Sequence, residues 1–409
     1  MNMKKFVSAM LAASMALSLA ACGTTATTGA TDSASGTTDN ASSATAATGA
    51  TDNATSAAAI KIGGIGPVTG AAATYGVAVK NGEELAVKEI NEAAGYTVFD
   101  WKFEDDEHDA EKSTNAYNAL KDWGMQILAG PVTTTPTMAV ASLAVEDGIF
   151  ELTPSASAQA VIETGDNVFQ ICFTDPNQGV ASADYIAENK LATKVGVIYD
   201  SSDAYSSGIY DKFVAQASAK GLEVVAAEAF TGDNKSDLST QVAKCQSAGA
   251  DLLFMPIYYT EATQILTNAN KIGYTPKFFG CDGLDGILDV EGFDVGLAEG
   301  VMLLTPFAAD AADDKTKSFV TAYEAAYQET PNQFAADAYD VIYSIYAAVQ
   351  AGKVTGDMST SEICEALKTQ FTSITFDGLT GTGMTWDASG AVSKEPKAVV
   401  ITNGSYAAM

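Results

Sequence analysis

Side chains able to grip a small polar molecule gather at the ends of expected strands. Gly130-Pro131-Val132-Thr133-Thr134-Thr135 follows one strand, and Leu152-Thr153-Pro154-Ser155-Ala156-Ser157 follows another. Tyr205 comes after the strand end Tyr199-Asp200, and Tyr258 and Tyr259 come after the strand at 252–255. Gly280-Cys281-Asp282-Gly283 closes a strand near Phe278. The set comprises hydroxyls, aromatic rings, one carboxylate and the backbone N–H groups at helix starts. Hydroxyls and helix N-termini would meet a ligand carboxylate, and Asp282 would pair a ligand ammonium. Any one hydroxyl alone reads as a helix cap; it is their joint placement that points to a site.

Composition narrows the chemistry further. The 409 residues hold 22 basic and 51 acidic side chains, a formal net charge of −29. Every basic residue is Lys, no Arg occurs, and the one His is His108. Nucleic acid or an anionic membrane surface calls for a basic face, and this inventory offers little to build one from. A Ser-His-Asp or Cys-His catalyst would have to run through His108 alone. A zinc site of several imidazoles is excluded, as is an Arg fork on a phosphate or carboxylate. Neither metal nor cofactor is expected.

Two local patterns invite other readings. Gly64-Ile65-Gly66-Pro67-Val68-Thr69-Gly70 follows the first strand and resembles a dinucleotide fingerprint, but its third glycine is displaced and Pro67 removes a donor. It reads as a tight strand–helix turn that also delivers ligand contacts. Glu104-Asp105-Asp106-Glu107-His108-Asp109 is densely acidic, yet lacks the spaced pattern of an EF-hand. It reads as a strand end feeding a helix, with Asp109 at the favourable N-terminus and His108 on the surface.

The N-terminus carries an export signal. Lys4 and Lys5 precede an apolar run at 6–17 that is too short to span a bilayer. Leu19-Ala20-Ala21-Cys22-Gly23 then resembles the lipobox of bacterial lipoproteins, which makes 1–22 a signal peptide and Cys22 the lipidation site. Residues 24–59 contain only Thr, Ala, Gly, Ser, Asp and Asn. They cannot bury a core, so 23–59 is expected to be a disordered tether reaching roughly 35 Å. A lipid, a tether and a folded body describe a protein anchored on the outer face of the bacterial cytoplasmic membrane.

The body reads as alternating strands and helices, an α/β class. Expected strands are 60–65, 98–104, 126–128, 194–199, 223–230, 252–255 and 300–305. Runs such as Val195-Gly196-Val197-Ile198-Tyr199 are continuously apolar, as in parallel strands covered on both faces. Ala262, Ile265, Leu266 and Ala269 repeat at helical spacing, as do Ala338, Val341, Ile342 and Ile345. Crossings near Phe173-Thr174-Asp175-Pro176-Asn177 and Thr305-Pro306-Phe307 divide the chain into two lobes with a cleft between them. Beyond Cys22, Cys172, Cys245, Cys281 and Cys364 are widely spaced; Cys245 and Cys364 sit in helical patterns that favour buried thiols.

Taken in order along the chain, these segments resemble the leucine/isoleucine/valine-binding protein family, the amino-acid receptors of bacterial ABC importers. The matching series opens with Ile62-Gly63-Gly64-Ile65-Gly66-Pro67-Val68-Thr69-Gly70 and Tyr75-Gly76. Glu89-Ile90-Asn91, Asp105-Asp106, Gly130, Thr153-Pro154, Tyr199-Asp200 and Gly280-Cys281-Asp282-Gly283 follow. The resemblance covers essentially all of 60–409. It implies a type I periplasmic binding protein: two Rossmann-like lobes with parallel sheets, joined by a three-crossing hinge. The expected division is 60–174 plus 306–380 for lobe 1 and 175–305 plus 381–409 for lobe 2.

By the same resemblance, the family's hydroxyl contact falls on Thr134 and its pair after Thr-Pro on Ser155 and Ser157. Its aromatic contacts fall on Tyr75, Tyr205 and Tyr258, and its ammonium-binding acid on Asp282. The family's small disulfide is not kept, because the matching positions are His108 and Thr133. The implied protein is not an enzyme but a monomeric receptor that captures an amino acid, branched-chain or otherwise aliphatic, and passes it to a membrane permease. An Asp where the family has a longer Glu, with two added hydroxyls, leaves amide, urea, nucleoside or sugar ligands as alternatives on the same fold. A non-transport surface sensor is a further alternative.

Overall fold

The computed structural model describes residues 58–409; the export signal, Cys22 and the tether up to residue 57 lie outside the described residues. The chain first lays down β1 (Ile60–Gly66), α1 (Ala73–Ala94), β2 (Phe99–Asp105), α2 (Ala110–Trp123), β3 (Ile127–Ala129) and α3 (Thr134–Asp147). β4 (Phe150–Thr153), α4 (Gln159–Ile162) and β5 (Val168–Gln170) complete the first sheet. All its neighbours are parallel, in the order β2-β1-β3-β4-β5. The chain then crosses into α5 (Asp175–Glu188), β6 (Lys194–Asp200), α6 (Ala204–Lys220), β7 (Glu223–Phe230) and α7 (Ser239–Ser247). β8 (Leu252–Met255), α8 (Tyr259–Lys271), β9 (Lys277–Gly280) and, after three 3-10 turns, β10 (Met302–Thr305) follow.

A second crossing returns the chain to the first lobe for α9 (Asp314–Tyr327), α10 (Gln333–Gly352) and α11 (Thr360–Phe371). The third leads to the hairpin β11 (Lys397–Thr402) and β12 (Ser405–Ala408). The second sheet runs β12-β11-β10-β9-β8-β6-β7. It is parallel from β7 to β10 and antiparallel through β11 and β12. The two-lobe α/β fold with three crossings is thus present, with an antiparallel edge that strand periodicity did not announce. Among the described residues no helix is long and apolar enough to cross a membrane.

The core explains one departure from the expected division. Met384, Trp386 and Val392 pack with Ile62, Phe150, Ile342 and Phe371 beneath the first sheet. The Trp386 indole N–H donates to the Gln170 carbonyl at 2.9 Å. Residues 381–396 therefore pack on the first lobe, and the chain joins the second sheet only at Lys397. Lys394 fastens this segment: buried, it donates to Asp337 Oδ1 at 2.7 Å and to the Thr380 hydroxyl at 2.5 Å. That hydroxyl in turn donates to Asp340 Oδ2 at 2.6 Å.

Strand order sets where a ligand can be held. In the first sheet the order reverses between β1 and β3, and in the second between β8 and β6. Loops leaving the carboxyl ends on either side of such a reversal diverge and open a crevice. Here the two crevices face each other. One apolar cluster runs across the junction and includes Tyr75, Val79 and Val132 from the first lobe with Ile257, Tyr259 and Leu284 from the second.

Candidate ligand-binding site

The loops after β3 and β4 form the first-lobe half of the site. Gly130, at φ 114, bends the chain where a Cβ would lie 2.7 Å from the Ile65 carbonyl oxygen. That bend leads Val132, Thr133 and Thr134 into the cleft. Thr133 is the N-cap of α3 but makes no side-chain capping bond, because its hydroxyl pairs with His108 Nδ1 at 2.7 Å. The first-turn N–H groups of α3 are thus left open beside the buried Thr134, an arrangement suited to an anion. The Ser155 hydroxyl donates to the Val132 carbonyl at 2.7 Å, which holds its oxygen at the same wall.

The second lobe supplies the acid. Asp282 stands just after β9, and Oδ1 accepts from the Tyr205 hydroxyl at 2.7 Å and from the Gly283 N–H at 2.8 Å. Both bonds fall on Oδ1, which leaves Oδ2 for the cavity that Asp282 lines. Burial pushes its carboxyl up to about 6, opposed by the Tyr205 hydroxyl, Gln178 and the Gly283 N–H. Gly283 has to be glycine, since a Cβ there would sit 2.6 Å from the Tyr205 hydroxyl.

Aromatic rings make the remaining walls. Tyr205 stacks on Tyr258 at 5.0 Å, Tyr75 meets Tyr258 edge-on at 5.7 Å, and Phe334 tilts against Tyr75 at 4.4 Å. The Tyr75 hydroxyl crosses the cleft, donating to the Gly283 carbonyl at 2.5 Å and accepting from the Tyr259 N–H at 3.3 Å. The walls stand so close that about 10 Å³ remains between them, room for about one water molecule. An amino acid needs several times that, so the lobes must stand further apart around one.

Of the seven residues expected from sequence, Tyr75, Thr134, Ser155, Tyr205, Tyr258 and Asp282 line this one cavity. Ser157 does not. It is fully buried, and its carbonyl accepts from the Asp175 N–H at 2.9 Å as the chain turns away toward α5. Val132, Thr133, Gly283 and Phe334 line the cavity without having been singled out as contacts. His108 is not the surface residue expected. Its ring meets Tyr258 edge-on at 5.6 Å and lines an adjoining compartment of about 170 Å³ with Asp200, Asp203 and Lys235. Burial, then nearby Lys235, push its imidazole down to about 4. The two positions matched to the family disulfide, His108 and Thr133, are therefore joined after all, by a hydrogen bond. Asp109 caps α2, its carboxylate accepting from the N–H groups of Glu111 and Lys112. All four cysteines among the described residues are free and buried.

The sequence profile of the periplasmic binding protein family matches residues 59–402. The chain belongs to that family. It is 31% identical over 305 residues to the Leu/Ile/Val-binding protein homolog 3 of Brucella melitensis, over 73% of this chain and 81% of the relative. It is 26% identical over 325 residues to the leucine-, isoleucine-, valine-, threonine- and alanine-binding protein of Pseudomonas aeruginosa, over 79% and 84% of the two chains. The solved structure of the branched-chain amino acid transporter substrate binding protein LivJ from Streptococcus pneumoniae, in complex with isoleucine, superposes with a TM-score of 0.77. It shares 28% sequence identity and covers 86% of this chain and 98% of LivJ. The resemblance to Leu/Ile/Val-binding proteins thus holds for periplasmic binding protein relatives in both sequence and fold.

Proposed function

We propose that this chain is an extracytoplasmic substrate-binding protein of an ABC importer, taking a small aliphatic amino acid, branched-chain foremost. No bond is made or broken; the lobes close on the ligand by hinge motion and present it to a membrane permease. The export signal and Cys22 support a lipid anchor on the outer face of the membrane, with the folded body acting as a monomer. The observation that carries the reading is Asp282, a buried acid oriented by Tyr205 and Gly283, opposite the hydroxyls and open N–H groups at the start of α3. That arrangement complements an ammonium and a carboxylate on one small molecule. The apolar faces of Tyr75, Tyr258 and Phe334 suit an aliphatic side chain between the lobes.

The test is calorimetry on wild type and Asp282→Ala, after a thermal-shift screen of the twenty amino acids has found the best ligand. Removing the partner of a buried ammonium costs about 2–5 kcal/mol. Undiminished amino-acid binding in the variant sinks the assignment. A best ligand without an ammonium points instead to an amide or sugar on the same fold.

A further inference from the structure

Behind the turn that carries Asp282, a second, partly open cavity lies between the two lobes. It measures about 480 Å³, inside the range of roughly 300–1,000 Å³ common for small-molecule sites. The first lobe contributes Val320 and Glu324 from α9 and the approach to α10; the second contributes Leu288 and Tyr406. Phe307, on the second crossing, covers one side. Asp285, Asp289, Asp310 and Glu324 are its charged residues, and no basic residue lines it.

Asp285 is the member with an unpaired oxygen. It is 4% exposed. Its Oδ2 accepts from the Gln333 N–H at 3.0 Å, while Oδ1 accepts nothing. A buried carboxylate oxygen without a donor is costly, and a cation against it removes that cost. Burial also pushes this carboxyl up to about 6, opposed by the Gln333 N–H and then the Tyr406 hydroxyl. The wall between the two cavities is thin. Asp282, Gly283 and Phe334 line the cleft, whereas Asp285 and Gln333 line the second cavity. Gln333 reaches both sides, since its side-chain amide donates to the Asp282 carbonyl at 2.8 Å.

We propose that this second cavity is a separate ligand site for a small amphipathic amine. The ammonium sits against Asp285 and the apolar body lies along Leu288, Phe307 and Val320. Four acids and no base turn away carboxylates, and an alcohol of the same shape brings a donor but no charge to set against Asp285. Because both lobes form the walls, an occupant favours one hinge angle over another.

Methyl NMR with pentylammonium, and pentanol and pentanoate as matched controls, tests this. The protein carries Asp282→Asn, so that the cleft acid cannot pair the amine; loss of amino-acid binding there and retention of pentylammonium binding separate the two sites. Pentylammonium is expected to shift the Leu288 and Val320 methyls saturably, with both controls at least about tenfold weaker, as for a lost buried charge pair. Val320→Trp, or Ala309→Trp if the first fails to fold, fills the cavity and abolishes the response. Equal responses to all three probes, no response at millimolar concentration, or a response that survives the cavity-filling variant overturns the proposal.

Discussion

The Tyr205 hydroxyl and Asp282 are 2.7 Å apart, and the Gly283 N–H donates to both of them, at 3.0 Å to the hydroxyl and 2.8 Å to Oδ1. This small ring of donors fixes one carboxylate oxygen and so aims the other. Tyr205→Phe keeps the ring that stacks on Tyr258 but removes the donor. A hydrogen bond to a charged group contributes about 1.5–3 kcal/mol, so amino-acid affinity by calorimetry is expected to drop about tenfold to a hundredfold. Unchanged affinity would mean that the hydroxyl does not orient the acid.

Binding should weaken in acid. An ammonium pairs with the ionised form of Asp282, whose carboxyl is held up to about 6. Affinity is therefore full above about pH 7 and about tenfold lower at pH 5. His108 acts in the same direction. In the closed arrangement its imidazole sits near 4, against about 6.5 in water, so closing over a protonated ring costs free energy between those values. Asp203 beside it, raised to about 6 by burial, takes up a proton and offsets part of this. A dissociation constant that stays flat from about pH 7.5 to 5 contradicts the assignment of Asp282.

The buried Lys394–Asp337 pair is expected to dominate the stability of the third crossing. Neither partner is more than 3% exposed at its side chain. Lys394→Met strands Asp337 as a lone buried charge, at about 3–5 kcal/mol. Asp337→Leu added to it removes that charge and recovers much of the loss. Urea denaturation of the two single variants and the double variant measures the coupling. Simple additivity would refute it.

Glu151 predicts the opposite sign. It lies on β4, fully buried, and neither carboxylate oxygen has a partner among the described residues. Burial raises its carboxyl well above the ordinary range, so the folded state holds a proton that the unfolded chain releases. That contribution to stability is intact below the unfolded value, near 4.3, and is lost as pH rises. Glu151→Leu should therefore stabilise by about 1–3 kcal/mol at neutral pH, with a gain that grows from pH 5 to pH 8. Thermal melts across that range decide it, and a variant less stable than wild type at pH 8 overturns it.

Strand ends are legible in this sequence because buried parallel strands leave unbroken apolar runs, and β7 and β8 lie where 223–230 and 252–255 were expected. Asp282, Tyr205 and Thr134 could be found by walking a few residues past such runs. Phe334 could not. It begins α10 behind its Asn332 cap, and nothing local separates it from a core phenylalanine. Ser157 rested on the family resemblance alone; β4 ends at Thr153, and by Ser157 the chain is already turning toward α5, where its carbonyl meets the Asp175 N–H. His108 sits in an acidic run that reads as solvated. Its φ of 60 and the buried Asp106, whose Oδ1 accepts the His108 N–H at 2.9 Å, turn the ring inward instead. The last lobe boundary was hidden for a different reason. Trp386 is tied to Gln170, distant in sequence, by one indole hydrogen bond, and no local pattern encodes so remote a partner.

The bond from the Tyr75 hydroxyl to the Gly283 carbonyl joins lobe to lobe using the protein's own atoms. Whatever free energy it adds to this closed arrangement is the same for any guest. A constant shared by every guest cancels from the ratio of any two affinities. Since the walls it ties together leave only about 10 Å³, a guest has to part it, and the contact opposes every guest alike and sharpens nothing. On the proposed function, discrimination falls to atoms whose surroundings change from guest to guest, chiefly the rings of Tyr258 and Phe334 that line the cavity. Altering preference then means repacking those rings, whereas cutting the Tyr75 tie changes the ease of opening for all guests together.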